Sequence, residues 1–192
     1  MTQQNVNKVS IRLMSGGHSF SRGDIDAVAA AQHVDVTLCT QKTTLVPQAM
    51  LRSDAGSHLA AVGLAPKADE CVVVSECVDG VVAVMALARG CYDYLCEHVE
   101  GFVCFHSPLL VDDAPQEGSV LSLYGDTLYV TVYRSGLRFA EAMPVAGDAD
   151  ILYYVESLHR LYDIYNMHAR AKGDARRLMG LCKPMFRSIV CE

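Results

Sequence analysis

No stretch of this chain holds the roughly 18 consecutive apolar residues that a membrane-spanning helix requires. The longest apolar run, Val81 to Ala88, has the length of a buried strand. The opening segment, Met1 to Lys8, is polar and lacks the apolar core of a secretory signal. These two absences predict a cytoplasmic protein with no membrane insertion. No C-x-x-C pair occurs among Cys39, Cys71, Cys77, Cys91, Cys96, Cys104, Cys182 and Cys191. Several of them fall in apolar, strand-like runs, so buried free thiols are expected rather than disulfides or a metal centre. Clustered positive charge is missing as well. The 16 basic residues are scattered, apart from the Arg176-Arg177 pair, which reads as a solvated helix face, and the net charge is −6. A phosphate-backbone binder needs the opposite, so nucleic acid is excluded as a partner.

What is present is the composition of a packed globule: 51% hydrophobic and 20% charged over 192 residues. The clearest pattern runs from Ser119 to Met167. Val120, Leu121 and Leu123 open a strand, and Gly125-Asp126 turns it into a second. There Leu128, Val130 and Val132 share one face, with Tyr129, Thr131 and Tyr133 on the other. Ser135-Gly136 turns the chain again into Leu137, Phe139 and Met143. Both turns read as two-residue hairpin loops. Asp148 is the expected N-cap of a helix whose inward stripe is Ile151, Tyr154, Val155, Leu158, Leu161, Tyr162 and Tyr165. A short strand ending at Gly173, a helix capped by Asp174 and a closing strand from Phe186 to Val190 complete this half.

The first half is less regular. Val9, Ile11 and Leu13 alternate as a half-buried strand, Ser15-Gly16-Gly17 turns it into a short strand around Phe20, and Val34, Val36 and Leu38 alternate again. Pro47 is placed at a first helical position. Cys71 to Ser75 and Val81 to Leu87 flank the hairpin-like signal Val78-Asp79-Gly80. Gly90 to His98 reads as a helix with Tyr94 and Leu95 inward, and Phe102 to Phe105 as a buried strand. The polar segment Asp112 to Gly118 is the one convincing boundary. The expected domains are therefore residues 1–112 and 119–192, joined by a linker over 113–118. Each begins as strand, glycine-containing turn, strand, the pattern of a duplicated unit.

Several pieces resemble an uncharacterised bacterial "domain of unknown function" family with an actin-like ATPase fold. They are Val9-Ser10-Ile11-Arg12-Leu13 followed by Ser19-Phe20-Ser21; Thr44-Leu45-Val46-Pro47; Phe105-His106-Ser107-Pro108-Leu109-Leu110; and Asp150-Ile151-Leu152-Tyr153-Tyr154-Val155. The resemblance spans nearly the whole chain in order. It implies an α/β (α+β) fold, actin-like, with duplicated ribonuclease-H-like lobes of mixed sheets, the first lobe shortened between Arg22 and Val34 and between Leu51 and Glu70. The fold class is shared more distantly with cytoplasmic scaffolds of pilus and secretion machines.

The chemistry of such an ATPase needs carboxylates in the first hairpin of each lobe, to hold magnesium and its waters against the phosphates. Glycines and small hydroxyl residues must also let backbone N–H groups approach phosphate oxygens. The first hairpin, Arg12-Leu13-Met14-Ser15-Gly16-Gly17-His18, has the glycines and no acid. The second, Ser122-Leu123-Tyr124-Gly125-Asp126-Thr127, has one acid, and it lies in the turn, where Asp serves as a turn former. Gly173 alone stands where two glycines usually meet the adenine. No P-loop, dinucleotide-binding, nucleophile-elbow or zincin motif occurs. Cys104 and His106 share one strand face and are read as structural. So are Tyr153, Tyr154, Tyr162 and Tyr165, as core and rim. No catalytic residue, cofactor or metal is expected, and the partner is another, unidentified protein or a second copy of the chain. The alternative is a nucleotide switch that binds ATP with magnesium in a cleft between lobes through Ser15, Gly16, Gly17, Gly125, Asp126 and Gly173.

Overall fold

The structure, a computed structural model, describes residues 8–14, 28 and 31–192. It is a mixed α/β chain that divides into two compact units, one running to Leu110 and the other Val111–Glu192. The expected turn at Ser15-Gly16-Gly17 and strand around Phe20 lie outside the described residues.

In the first unit, β1 (Lys8–Met14), β2 (His33–Cys39) and β6 (Phe102–His106) form a parallel sheet in the order β1-β2-β6. Alternation sorts their side chains. Leu13, Val34, Val36, Leu38 and Phe105 enter a core, while Lys8, Ser10, His33, Asp35, Cys104 and His106 take the opposite face. A second sheet lies in the chain between β2 and β6: β3 (Thr43–Pro47), β4 (Glu70–Val74) and β5 (Val81–Ala88), antiparallel in the order β3-β5-β4. Strand β5 is apolar on both faces because both are covered. Ala83, Met85 and Leu87 join the core of the parallel sheet, and Val82, Val84 and Ala86 pack with Leu59 of the short helix α1 (Gly56–Ala61). Asp79 and Gly80, both at positive φ, make the hairpin between β4 and β5. Pro47 does not start a helix of useful length. It ends β3 and precedes a single 3-10 turn, Gln48–Met50.

Helix α2 (Arg89–His98) buries Leu95, whereas Tyr94 is only half-buried and stacks on His98 with ring centroids 4.1 Å apart. The strand expected to be buried from Phe102 begins with that residue 77% exposed. Phe102 is the first residue of an edge strand and lies on the polar face, paired with His33.

The second unit holds a five-stranded mixed sheet in the order β11-β10-β7-β8-β9. Its antiparallel meander is β7 (Glu117–Tyr124), β8 (Thr127–Arg134) and β9 (Leu137–Pro144); β10 (His168–Gly173) and β11 (Ser188–Cys191) extend it in parallel. The first turn is the expected two-residue loop, with Gly125 at φ +59° and Tyr124 paired to Thr127. The second is not. The register slips between Val132 and Tyr133, leaving three residues, Arg134, Ser135 and Gly136, between the paired Tyr133 and Leu137. Leu128, Val130 and Val132 face a core built with α3 (Asp148–Tyr162) and α4 (Ala175–Cys182). Tyr129, Thr131 and Tyr133 on the other face are buried as well.

Helix α3 is capped differently from the expectation. Gly147 is the N-cap, and the Asp150 carboxylate accepts from the backbone N–H of Ala146 at 2.7 Å and of Gly147 at 3.1 Å. Asp148 instead accepts from Arg177 Nε at 2.7 Å, tying the start of α3 to α4. The pair Arg176-Arg177 is therefore not wholly a solvated face. Ile151, Val155 and Leu158 are buried, but Leu161, at the border of the stripe in the last turn, is 71% exposed and Tyr153 is 67% exposed. The triplets β1-β2-β6 and β7-β10-β11 share one parallel layout, which is the duplicated element.

Candidate functional site

Parallel strands end their C-termini on one side of a sheet, and ligands of open α/β folds bind outside those ends. In the second unit that edge joins the turn Gly125-Asp126, after β7, to Gly173 at the end of β10, because Gly173 pairs with Leu123. The three described members of the expected nucleotide site thus share one end of the sheet. Ser15, Gly16 and Gly17 lie outside the described residues.

The local geometry at this edge is closed. Gly173 has φ +70°, and a Cβ there would stand 2.2 Å from the Leu123 carbonyl oxygen and 2.7 Å from Tyr124 Cε1. Only glycine fits so close an approach. The Tyr124 ring therefore lies directly on Gly173. Asp174 donates its backbone N–H to Leu123 O at 2.9 Å, and its carboxylate accepts from Arg177 N at 3.3 Å to cap α4. Asp126 is also engaged locally: its Oδ1 accepts from the Thr127 hydroxyl at 3.1 Å, and its carbonyl accepts from Val145 N at 2.7 Å. Leu123, the strand residue nearest the turn on the core face, is buried.

A second constellation, which the sequence reading missed, sits on the polar face of the β1-β2-β6 sheet. Asp35, in the middle of the central strand, accepts from Lys8 Nζ at 2.6 Å through Oδ2. Through Oδ1 it accepts from His33 Nε2 at 2.8 Å and His106 Nε2 at 3.3 Å. Burial works against its charge, but the hydrogen bonds from Lys8, His33 and His106 outweigh that and hold the carboxyl below its ordinary range. Cys104, directly across from Asp35 in the register, donates its thiol to Glu76 Oε1 at 3.4 Å. Burial first, and then the Glu76 carboxylate, push this thiol upward. One donor atom each from His33, Asp35 and Cys104 lies within 4.8 Å of the others. The available signal was the alternation His33-Val34-Asp35-Val36 and Cys104-Phe105-His106. It fixes which residues share a face within a strand and says nothing about which strands are neighbours.

All eight cysteines are free thiols, as expected from their spacing. Burial alone pushes Cys182 up to about 11, and it is the main cause raising Cys39 to about 12, so neither is a nucleophile at neutral pH. Cys77, Cys96 and Cys191 are exposed, contrary to the expectation of general burial. Among the described residues no helix is long and apolar enough to cross a membrane.

No protein-family profile and no curated protein matches the chain in sequence. Solved structures do match it in fold. A Bacteroides thetaiotaomicron VPI-5482 protein with an actin-like ATPase fold and unknown function aligns at TM-score 0.69 and 15% identity, over 87% of this chain and 71% of that one. The cytoplasmic domain of EpsL, an inner membrane component of the type II secretion system of Vibrio cholerae, aligns at TM-score 0.47 and 13% identity, over 95% of this chain and 84% of that one, a similarity too low to carry a conclusion. The sheet orders, the parallel triplet in each unit and the first of these alignments agree: the chain has an actin-like ATPase fold.

Proposed function

We propose that this chain is a non-catalytic actin-like module that works by binding another protein or a second copy of itself. The observation that carries this reading is the Tyr124 ring lying on Gly173, at the strand end where a nucleotide would have to approach. A magnesium-dependent ATPase of this fold requires a carboxylate on the strand entering the hairpin. Strand β7 offers the buried Leu123 and the aromatic Tyr124 there, and Asp126 is committed to its own turn. The segment Arg12 to His18 contains no acid. These residues do not fit a magnesium nucleotide. The exposed Tyr153 and Leu161 on α3 are the kind of large side chains that a protein partner covers.

A thermal-unfolding titration with magnesium and ATP tests the reading. The midpoint is expected to stay unchanged at millimolar nucleotide. The second reading, a nucleotide switch, draws on the shared strand-end position of Gly125, Asp126 and Gly173. It requires a rise of several degrees that Asp126→Ala removes, and that result would replace the first reading. Light scattering over a range of concentrations separates the two kinds of partner. A mass that doubles with concentration points to self-association, and a constant monomer mass to a different protein.

A further inference from the structure

We propose that His33, Asp35 and Cys104 form a three-ligand binding site, its fourth position open to solvent, for a first-row divalent cation of the zinc class on the polar face of the β1-β2-β6 sheet. The donor set selects the metal. Imidazole and thiolate prefer zinc, cobalt or nickel, whereas magnesium and calcium demand oxygen ligands that this face does not supply in number.

The spacing suits such an ion. Ligands of a tetrahedral zinc lie about 2.0–2.3 Å from the metal, hence about 3.4 Å from one another. Here His33 Nε2 is 2.8 Å from Asp35 Oδ1, and Cys104 Sγ completes a group no wider than 4.8 Å with them. His106 stays outside that group as a hydrogen-bond partner of Asp35 at 3.3 Å. The ligands come from adjacent strands in fixed register, Asp35 opposite Cys104, so little ordering remains when the metal binds.

Lys8 does not block the ion. Its ammonium engages Oδ2 and leaves Oδ1 to the metal, and in that position it orients the carboxylate as outer-shell partners do. The proton balance is simple. The His33 imidazole, which donates to Asp35 through Nε2 in the free protein, carries its proton on Nδ1 once the metal takes Nε2. The Cys104 thiol loses its proton to solvent as the sulfur becomes a thiolate ligand, so one proton is released per ion bound. Glu76, which accepts from that thiol in the free protein, becomes available to solvent.

The test uses the full chain, stripped with chelator and then titrated with cobalt(II) as a spectroscopic probe and with zinc(II) against a competing chelator. The expected result is one equivalent of metal, with intense tetrahedral cobalt bands and a thiolate-to-cobalt charge-transfer band. Cys104→Ser removes the charge-transfer band, and His33→Ala weakens zinc binding at least ~10-fold. Cys96→Ser, at an exposed cysteine of α2, changes neither. Should Cys104→Ser fail to fold, alkylation of the unaltered chain replaces it: zinc must slow modification of Cys104 while Cys77 and Cys191 react at unchanged rates. Absence of the charge-transfer band, zinc binding unaltered by His33→Ala, or alkylation of Cys104 indifferent to zinc would each overturn the assignment.

Discussion

At the scale of single residues, Gly173 and Glu70 carry the sharpest expectations. A methyl group at position 173 meets a backbone carbonyl at 2.2 Å on a left-handed backbone, and neither the carbonyl nor the register of β7 and β10 can move without breaking pairs. Gly173→Ala is therefore expected to destabilise the chain by about 2–4 kcal/mol, the range of a strained and sterically blocked site, measured by urea unfolding. Unchanged stability would mean that Tyr124 and Leu123 do not close on this glycine. Glu70 opens β4 and accepts from Lys42 Nζ and from Lys67 N at 2.7 Å. Burial raises its pKa, and the bonds from Lys42 and Lys67 more than reverse that, leaving it below the ordinary 4.5. The folded value is depressed, so the stabilisation is complete above the unfolded pKa and is lost as pH falls through the folded one. In Glu70→Gln, the fall of the urea midpoint below about pH 4.5 is expected to be shallower than in the unaltered chain. Equal slopes would show that the Lys42 pair contributes nothing.

Whole elements show why some of the fold could be read from the sequence and some could not. The β7-β8-β9 meander was legible because period-two alternation, together with Gly125, specifies both faces and the first turn locally. The slip at Val132 was not, since a bulge changes pairing without changing composition. The start of α3 was misplaced by one residue. Asp148 and Asp150 are equally good N-terminal acids by type, and only the chain path decides which one reaches back to Gly147. That difference is measurable. Asp150→Ala loses two backbone partners and is expected to cost about 1 kcal/mol. Asp148→Ala loses an exposed ion pair with Arg177 and is expected to cost about 0.5 kcal/mol or less. Chemical denaturation of the two variants gives the order, and the reverse order would return the cap to Asp148. The constellation around Asp35 was out of reach for a different reason. Parallel pairing joins β2 to β6 across an intervening antiparallel sheet, and alternation within a strand carries no record of its neighbours.

For the molecule as a whole, the duplicated parallel triplet is the part of the scaffold that each unit keeps. The middle strand of each carries a charged residue surrounded by partners of the other sign or by imidazoles. In the first unit Asp35 gathers Lys8, His33 and His106. In the second, Arg170 of β10 binds Asp113 Oδ2 at 2.6 Å and Glu192 Oε1 at 3.0 Å. Repeated architecture has thus been filled with different chemistry, which is why resemblance in fold leaves function open. The central claim is that this actin-like scaffold does not turn over nucleotide. Phosphate release from ATP with magnesium, followed to many equivalents per chain, tests it most directly. The account predicts a rate indistinguishable from protein-free buffer, for the unaltered chain and for Asp126→Ala alike. Sustained release by the unaltered chain that Asp126→Ala abolishes would contradict it.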